Sequence, residues 1–238
     1  MMSSPKSKIS FWHRLLDMIS PKACAACRNR LGLNEHVLCG KCNLHLARTN
    51  YCAQPYDNEM AKMFWGRISI EKAAALFFYQ PQSQTAQLIY NLKYYKHADY
   101  GELLGEMTAR EFDEQHFFDD IDAIIPITLT KGRESSRGYN QSERIAQGIS
   151  TITNLPVLDC VVIRESFNGS QTDKDRWQRN ENVENVFQLR QDAPIEGKHL
   201  LIVDDIVTSG ATTCACATEL QKVKDVKISV LTLGFTKT

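Results

Sequence analysis

A chain of 238 residues with 28 basic and 28 acidic side chains has no net formal charge, and 43% of it is hydrophobic. That balance excludes a protein that grips nucleic acid over its whole surface and confines any such contact to a local patch. No apolar run approaches the ~20 residues of a membrane span, so no membrane insertion is expected.

The first segment, residues 1 to 20, has Lys6 and Lys8 ahead of a short apolar stretch broken by His13, Arg14 and Asp17. It lacks a signal-peptide core, which argues for a cytoplasmic location. Phe11, Leu15, Met18 and Ile19 share one face of a predicted helix over 10–19, a helix that packs on the body of the protein.

Two CxxC pairs follow, Cys24/Cys27 and Cys39/Cys42, separated by eleven residues. In a reducing compartment clustered cysteines are metal ligands rather than disulfides. Four thiolates at this spacing close a tetrahedral Zn²⁺ shell, and a shell with no open position is structural rather than catalytic. Cys52 is a spare candidate ligand. Lys22, Arg28, Arg30, Lys41 and Arg48 make the module locally basic. Such a patch suits a phosphate backbone, and solvated basic residues on a small ribbon are equally ordinary. The expected division is a helix and tetrathiolate zinc module over 1–55 and a second domain over 56–238.

Residues 53–68 read as a connecting stretch, with Pro55, Asp57, Asn58 and Gly66. Residues 71–79 read as a strand, and 84–116 as one or two helices. Within the latter, Tyr90, Tyr94 and Tyr95 alternate with Lys93 and Lys96. Aromatics stack on unpaired bases while lysines hold phosphates. The commoner arrangement, preferred from pattern alone, is an amphipathic helix whose lysines reach past it to water. Residues 121–127 form the next strand. Thr128 to Arg137 is read as a loop containing Lys131, Arg133 and Arg137. A helix through Ile145 and Ile149 and an apolar run over 156–163 come next, with Cys160 as a small core residue. The polar stretch 164–184, with Trp177 as its anchor, reads as a mobile loop or lid.

The most informative stretch is Leu200 to Thr213. Leu200 to Val203 suit a strand buried on both faces of a parallel sheet. Asp204 and Asp205 fall where that strand should end, the place where ligands sit in open α/β sheets. Thr208, Ser209, Gly210, Ala211 and Thr212 then form a small-residue loop. Its backbone N–H groups, at the start of a helix over 212–222, suit a phosphate. The carboxylates suit the hydroxyls of the sugar carrying it, or a metal bridging to one. Neither the P-loop nor the dinucleotide glycine pattern is present. A final strand covers 226–233. The expected fold class is α/β, with a parallel sheet of strands near 121, 157, 199 and 226.

The run LLIVDDIVTSGAT resembles the phosphoribosyl-diphosphate (PRPP) motif of type I phosphoribosyltransferases. With both CxxC pairs, the LKY of Leu92 to Tyr94 and the Arg137-Gly138-Tyr139-Asn140-Gln141-Ser142 pattern, the chain resembles the ComF family. That family joins a zinc-binding segment to a phosphoribosyltransferase domain and is associated with DNA uptake in natural competence. The resemblance implies a type I phosphoribosyltransferase fold with a hood over 164–184, where Gln171, Arg176 and Asn180 match the family pattern. It implies pyrophosphate contacts from the loop of Lys131, Arg133 and Arg137, and Mg²⁺ accompanying PRPP. Asp204 and Asp205 would hold the ribose hydroxyls and stabilise positive charge on the sugar. In 6-oxopurine transferases an acidic base stands three positions beyond the second acid. Here that position is Thr208, which argues against hypoxanthine or guanine salvage.

Three functions remain open from the sequence. The first is a PRPP-binding competence protein that binds single-stranded DNA and works with competence-machinery proteins. The second is a metabolic phosphoribosyltransferase with an unidentified acceptor. The third is a non-catalytic PRPP-responsive regulator.

Overall fold

The apolar runs pair edge to edge. Strands β1 (Ala73–Tyr79), β2 (Ala123–Pro126), β5 (His199–Val207) and β6 (Lys227–Thr236) form one sheet in the order β1-β6-β5-β2, with every pair parallel. Two shorter strands, β3 (Val162–Glu165) and β4 (Val186–Leu189), form a separate antiparallel ribbon. This is a computed structural model that describes residues 22–94, 98–159, 161–165, 186–190 and 193–237. The expectations for the 10–19 helix, Tyr95, Lys96, Cys160, Gln171, Arg176, Trp177 and Asn180 lie outside the described residues.

The helices are α1 (Gly40–His45), α2 (Glu59–Phe64), α3 (Gln84–Tyr94), α4 (Ala98–Asp113), α5 (Lys131–Arg137), α6 (Gln141–Thr153) and α7 (Ala211–Leu220). Side chains alternate across the sheet. Leu201 and Val203 join one buried cluster with α3, α4, α6 and the cysteine segment, while Leu200 and Ile202 join another with α2, α7 and the ribbon. Coverage of both faces is what a parallel sheet requires, and it explains why β5 reads as an unbroken apolar run. Helices α4 and α6 cross so closely that a Cβ on Gly105 would overlap the Ile145 carbonyl, and one on Gly148 the Glu102 carbonyl. No helix among the described residues is long and apolar enough to cross a membrane.

Several expectations are corrected. The run near 157 is not a sheet strand: Val157 makes a single parallel bridge to Ile124, after which the chain departs to build β3 of the ribbon. The fourth strand is instead β1, which pairs with β6 on the far side. The stretch 53–68 is not merely a connection, because it contains α2. Asn58 caps that helix, its Oδ1 accepting from the Ala61 N–H at 2.9 Å, and Met60, Ala61 and Phe64 are fully buried. The segment 128–137 is not all loop, since Lys131 to Arg137 is helical and ends at Gly138 with φ +83°.

The connections part company at one place. After β2 the chain runs through α6 and returns at Val157, on the outer edge of β2. After β5 it runs through α7 to β6, on the opposite side. Loops diverging from neighbouring parallel strands open a crevice at their carboxyl ends. Strand β2 stops at Pro126, opposite Val203, one residue short of Asp204. Strand β5 runs on beside β6 to Val207, so the acids lie within the strand rather than at its end. They are in the sheet on one side and at the crevice on the other.

Candidate functional site

Asp204 is half-buried. Its Oδ1 accepts two hydrogen bonds, from the Ser142 hydroxyl at 2.9 Å and from the Asp205 N–H at 2.8 Å. Burial, and then the neighbouring charge of Asp205, push its pKa up to about 7, against the opposing pull of those two donors. Ser142 is held in place by the segment that leads to it. Asn140 Oδ1 accepts from the Ser142 N–H at 3.1 Å, and Asn140 Nδ2 donates to the Ile127 carbonyl at 3.1 Å. The Tyr139 hydroxyl donates to the Leu92 carbonyl of α3. Tyr139, Asn140 and Ser142 of the Arg137-to-Ser142 pattern therefore face inward and tie β2, α3 and α6 to the first acid.

Asp205 is buried and paired. The Lys93 ammonium of α3 lies 3.0 Å from its Oδ2. In the sequence Lys93 stands out only as part of an aromatic and basic stretch. A contact across 112 positions leaves no local signature.

The loop after β5 presents Thr208 and Ser209 to solvent and turns at Gly210, with φ +71°, into α7. A Cβ at Gly210 would come within 3.0 Å of Phe64 Cε1 and 3.1 Å of Met63 Sδ. Both the left-handed turn and the close approach of α2 therefore favour glycine. Arg67 Nη1 donates to the Ser209 carbonyl at 2.7 Å and braces the same turn. Sequence reasoning misses Arg67 because its segment reads as linker. The Asn58 cap, followed by apolar positions at helical spacing, is the signal that could have found it. Ala211 and Thr212 open α7, so the predicted phosphate loop and both acids come together at one crevice. Arg137 reaches Gln141 Oε1 at 2.8 Å and lies over the Tyr94 ring at 5.8 Å. Lys131 and Arg133 sit on α5, and their side chains lie outside what is described.

The second constellation is the cysteine cluster. The sulfurs of Cys24, Cys27, Cys39 and Cys42 all lie within 4.8 Å of one another, and Cys27 and Cys39 are 3.8 Å apart. A tetrahedron with Zn–S bonds of about 2.3 Å has an edge of about 3.8 Å, so the donor set fits Zn²⁺. Backbone N–H groups of Cys39 and Cys42 donate to the sulfurs of Cys24 and Cys39 at 3.3 and 3.5 Å, as thiolates favour. The half-buried Glu35 carboxylate accepts from the N–H groups of Gly32 and Gly40, both at 2.6 Å, and pins the two knuckles together. Those bonds hold its pKa below the usual range. Cys52 does not belong to the cluster. Cys24 and Ala25 are buried with Leu88 and Leu92 of α3, and Asn91 Nδ2 donates to the Ala25 carbonyl at 2.7 Å.

The fold and site together define an α/β protein with a crevice at the divergence of two parallel strands and a four-cysteine cluster, able to hold a metal ion, packed on its sheet. No protein-family model matches the chain. Competence protein F of Haemophilus influenzae is 25% identical over 218 residues, spanning 87% of this chain and 94% of its own. DNA utilization protein YhgH of Escherichia coli is 26% identical over 210 residues, spanning 83% and 89%. Competence protein ComFC of Bacillus subtilis is 28% identical over 126 residues, spanning 52% and 47%. The structure of Leishmania donovani UMP synthase aligns with 73% of this chain and 30% of its own, with a TM-score of 0.34 and 14% identity. The relatives to which the chain is similar over most of its length thus carry competence and DNA-utilization names.

Proposed function

We propose that the protein binds PRPP with Mg²⁺ at the crevice between β2 and β5, and that it acts on single-stranded DNA during competence or DNA utilisation. The observation that carries the reading is one convergence. Two carboxylates stand beside a braced turn, Thr208 to Gly210, that feeds the N-terminus of α7. Backbone N–H groups of that turn suit the 5′-phosphate. Asp204 and Asp205 suit the ribose 2′ and 3′ hydroxyls, directly or through Mg²⁺, which neutralises the diphosphate when bound. Arg137, with Lys131 and Arg133 on the same segment, supplies cations for the diphosphate. A ligand that takes Asp205 must share it with Lys93 or displace it. The phosphoribosyltransferase fold, the 1–55 and 56–238 division and the hood over 164–184 belong to this reading. The tetrathiolate centre takes a structural Zn²⁺, and a cytoplasmic location keeps its thiols reduced. Work in competence, rather than salvage, is favoured by the names of relatives that span most of the chain and by Thr208 in the place of an acidic base.

The test is calorimetric titration of Mg²⁺-PRPP into the zinc-loaded protein, with Asp205→Ala beside it. The expected result is binding by the parent chain and at least tenfold weaker binding by the variant, with one zinc retained in both. Equal affinity in the two proteins would remove Asp205 from the site.

A further inference from the structure

Helix α3 buries Leu88, Ile89, Asn91 and Leu92, and turns Tyr90 and Tyr94 the other way, where they are 50% and 58% exposed. The two rings lie against each other, with centroids 4.8 Å apart and planes inclined at 40°. They wall a cavity of about 550 Å³ whose other lining includes Gln82, Ser83 and Gln87 and, across from the helix, Thr208 of the phosphate turn. Lys93, on the same helix, also lines it, and Arg137 covers the Tyr94 ring. The lysine does not reach out to water as a lysine on an ordinary amphipathic helix would. It is largely covered and turned to Asp205.

This assembly has the parts of one recognition device. Exposed aromatic faces stack on planar rings, amide and hydroxyl side chains meet the polar edge of such a ring, and two cations flank the stack where phosphates would run. A whole-chain charge of zero means that strand binding needs a local patch of this kind. We propose that the cavity walled by Tyr90 and Tyr94 is the stacking site for an unpaired nucleobase, supplied by a single strand. The strand's phosphates lie along Lys93 and Arg137, and its base sits beside Thr208. This rests on the reading of the β5 crevice as the sugar-phosphate site, and it brings the two ligands together at Lys93, Arg137 and Thr208. When a Mg²⁺-bound sugar takes Asp205, Lys93 is released toward the strand, so the ligands bind cooperatively.

The experiment measures binding of fluorescein-labelled octathymidylate to the full zinc-loaded chain by anisotropy at low salt, with and without Mg²⁺-PRPP. Tyr90→Leu/Tyr94→Leu is expected to weaken strand binding tenfold or more, since each stacked base contributes strongly. Tyr90→Phe/Tyr94→Phe is expected to keep it. Zinc content is expected to stay the same in both variants, and PRPP affinity in the phenylalanine variant, which keeps the ring under Arg137. Mg²⁺-PRPP is expected to tighten strand binding severalfold in the parent. Thymidine monophosphate serves as competitor. Displacement only at a large excess assigns the base to a strand, while displacement at comparable concentration keeps the base site and makes a free nucleotide its source. Absence of strand binding by the parent, or full strand affinity in the leucine variant, overturns the proposal. If PRPP fails to bind any of the proteins, the sugar-phosphate reading falls and the cooperativity with it. The comparison of leucine with phenylalanine then still decides the base site.

Discussion

Replacing Ser142 by alanine removes one of the two donors that keep Asp204 ionised. A hydrogen bond to a charged group is worth about 1.5 kcal/mol, which corresponds to roughly one pH unit in the ionisation midpoint. Asp204 then moves from about 7 to about 8. At pH 7 its ionised fraction falls from about one half to about one tenth. If Mg²⁺-PRPP takes only the carboxylate form, the variant binds about fivefold more weakly at pH 7, and the difference vanishes by about pH 9. Calorimetric titration of Mg²⁺-PRPP from pH 6 to 9 checks both the size of the loss and its recovery. Parallel profiles with a common midpoint would refute the reasoning, because Ser142 would then not be tuning the group that limits binding.

The same shift predicts a stability trend. With the folded-state pKa of Asp204 above its ordinary 3.8, the fold favours the neutral form. This contribution is complete below about pH 4 and is lost as the pH rises through about 7, so thermal melts without ligand should show it declining over that window, and Asp204→Asn should remove the dependence. Gly210→Ala must place a Cβ at φ +71° against Phe64 and Met63. A left-handed alanine costs about 1–2 kcal/mol, so the melting temperature should fall by about 2–8 °C, and PRPP affinity should fall with it. Arg67→Ala should leave the melting temperature nearly unchanged but weaken PRPP binding severalfold, read by calorimetry, through loss of the brace on Ser209. Cys42→Ser should lose the single zinc measured by atomic emission and melt several degrees lower, because metal binding is folding free energy at such a centre.

The parts of this molecule that were legible in the sequence are those whose chemistry is contiguous. Leu200 to Val203 announce a buried parallel strand because both faces are covered, and Asp204, Asp205 and the Thr208–Thr212 turn follow without a gap. The cysteine pairs carry their own spacing. What the sequence does not show is what comes from elsewhere in the chain. The Lys93–Asp205 and Ser142–Asp204 contacts span 112 and 62 positions, and no periodicity encodes them. Helices α2 and α5 have only six and seven residues, too short for a helical period to stand out from a loop. The apolar run near 157 misled because it serves two elements in turn, one bridge to β2 and then the ribbon. Strand β1 was recognisable as a strand, but its place beside β6 depends on the crossover and not on its residues.

One buried cluster contains Leu31, Val37, Leu38 and Leu46 of the cysteine segment together with Leu76, Phe77, Leu88 and Leu92 of the sheet and α3. Its consequence concerns inheritance. A cysteine segment acquired by recombination from another protein would have to reproduce the apolar surface packed on Phe77 and set a backbone carbonyl where that of Ala25 meets Asn91. A descendant that discarded the segment would bare an apolar face of the sheet and invite aggregation. The two stretches therefore share one packed interface, in which a change of volume on one side must be answered on the other.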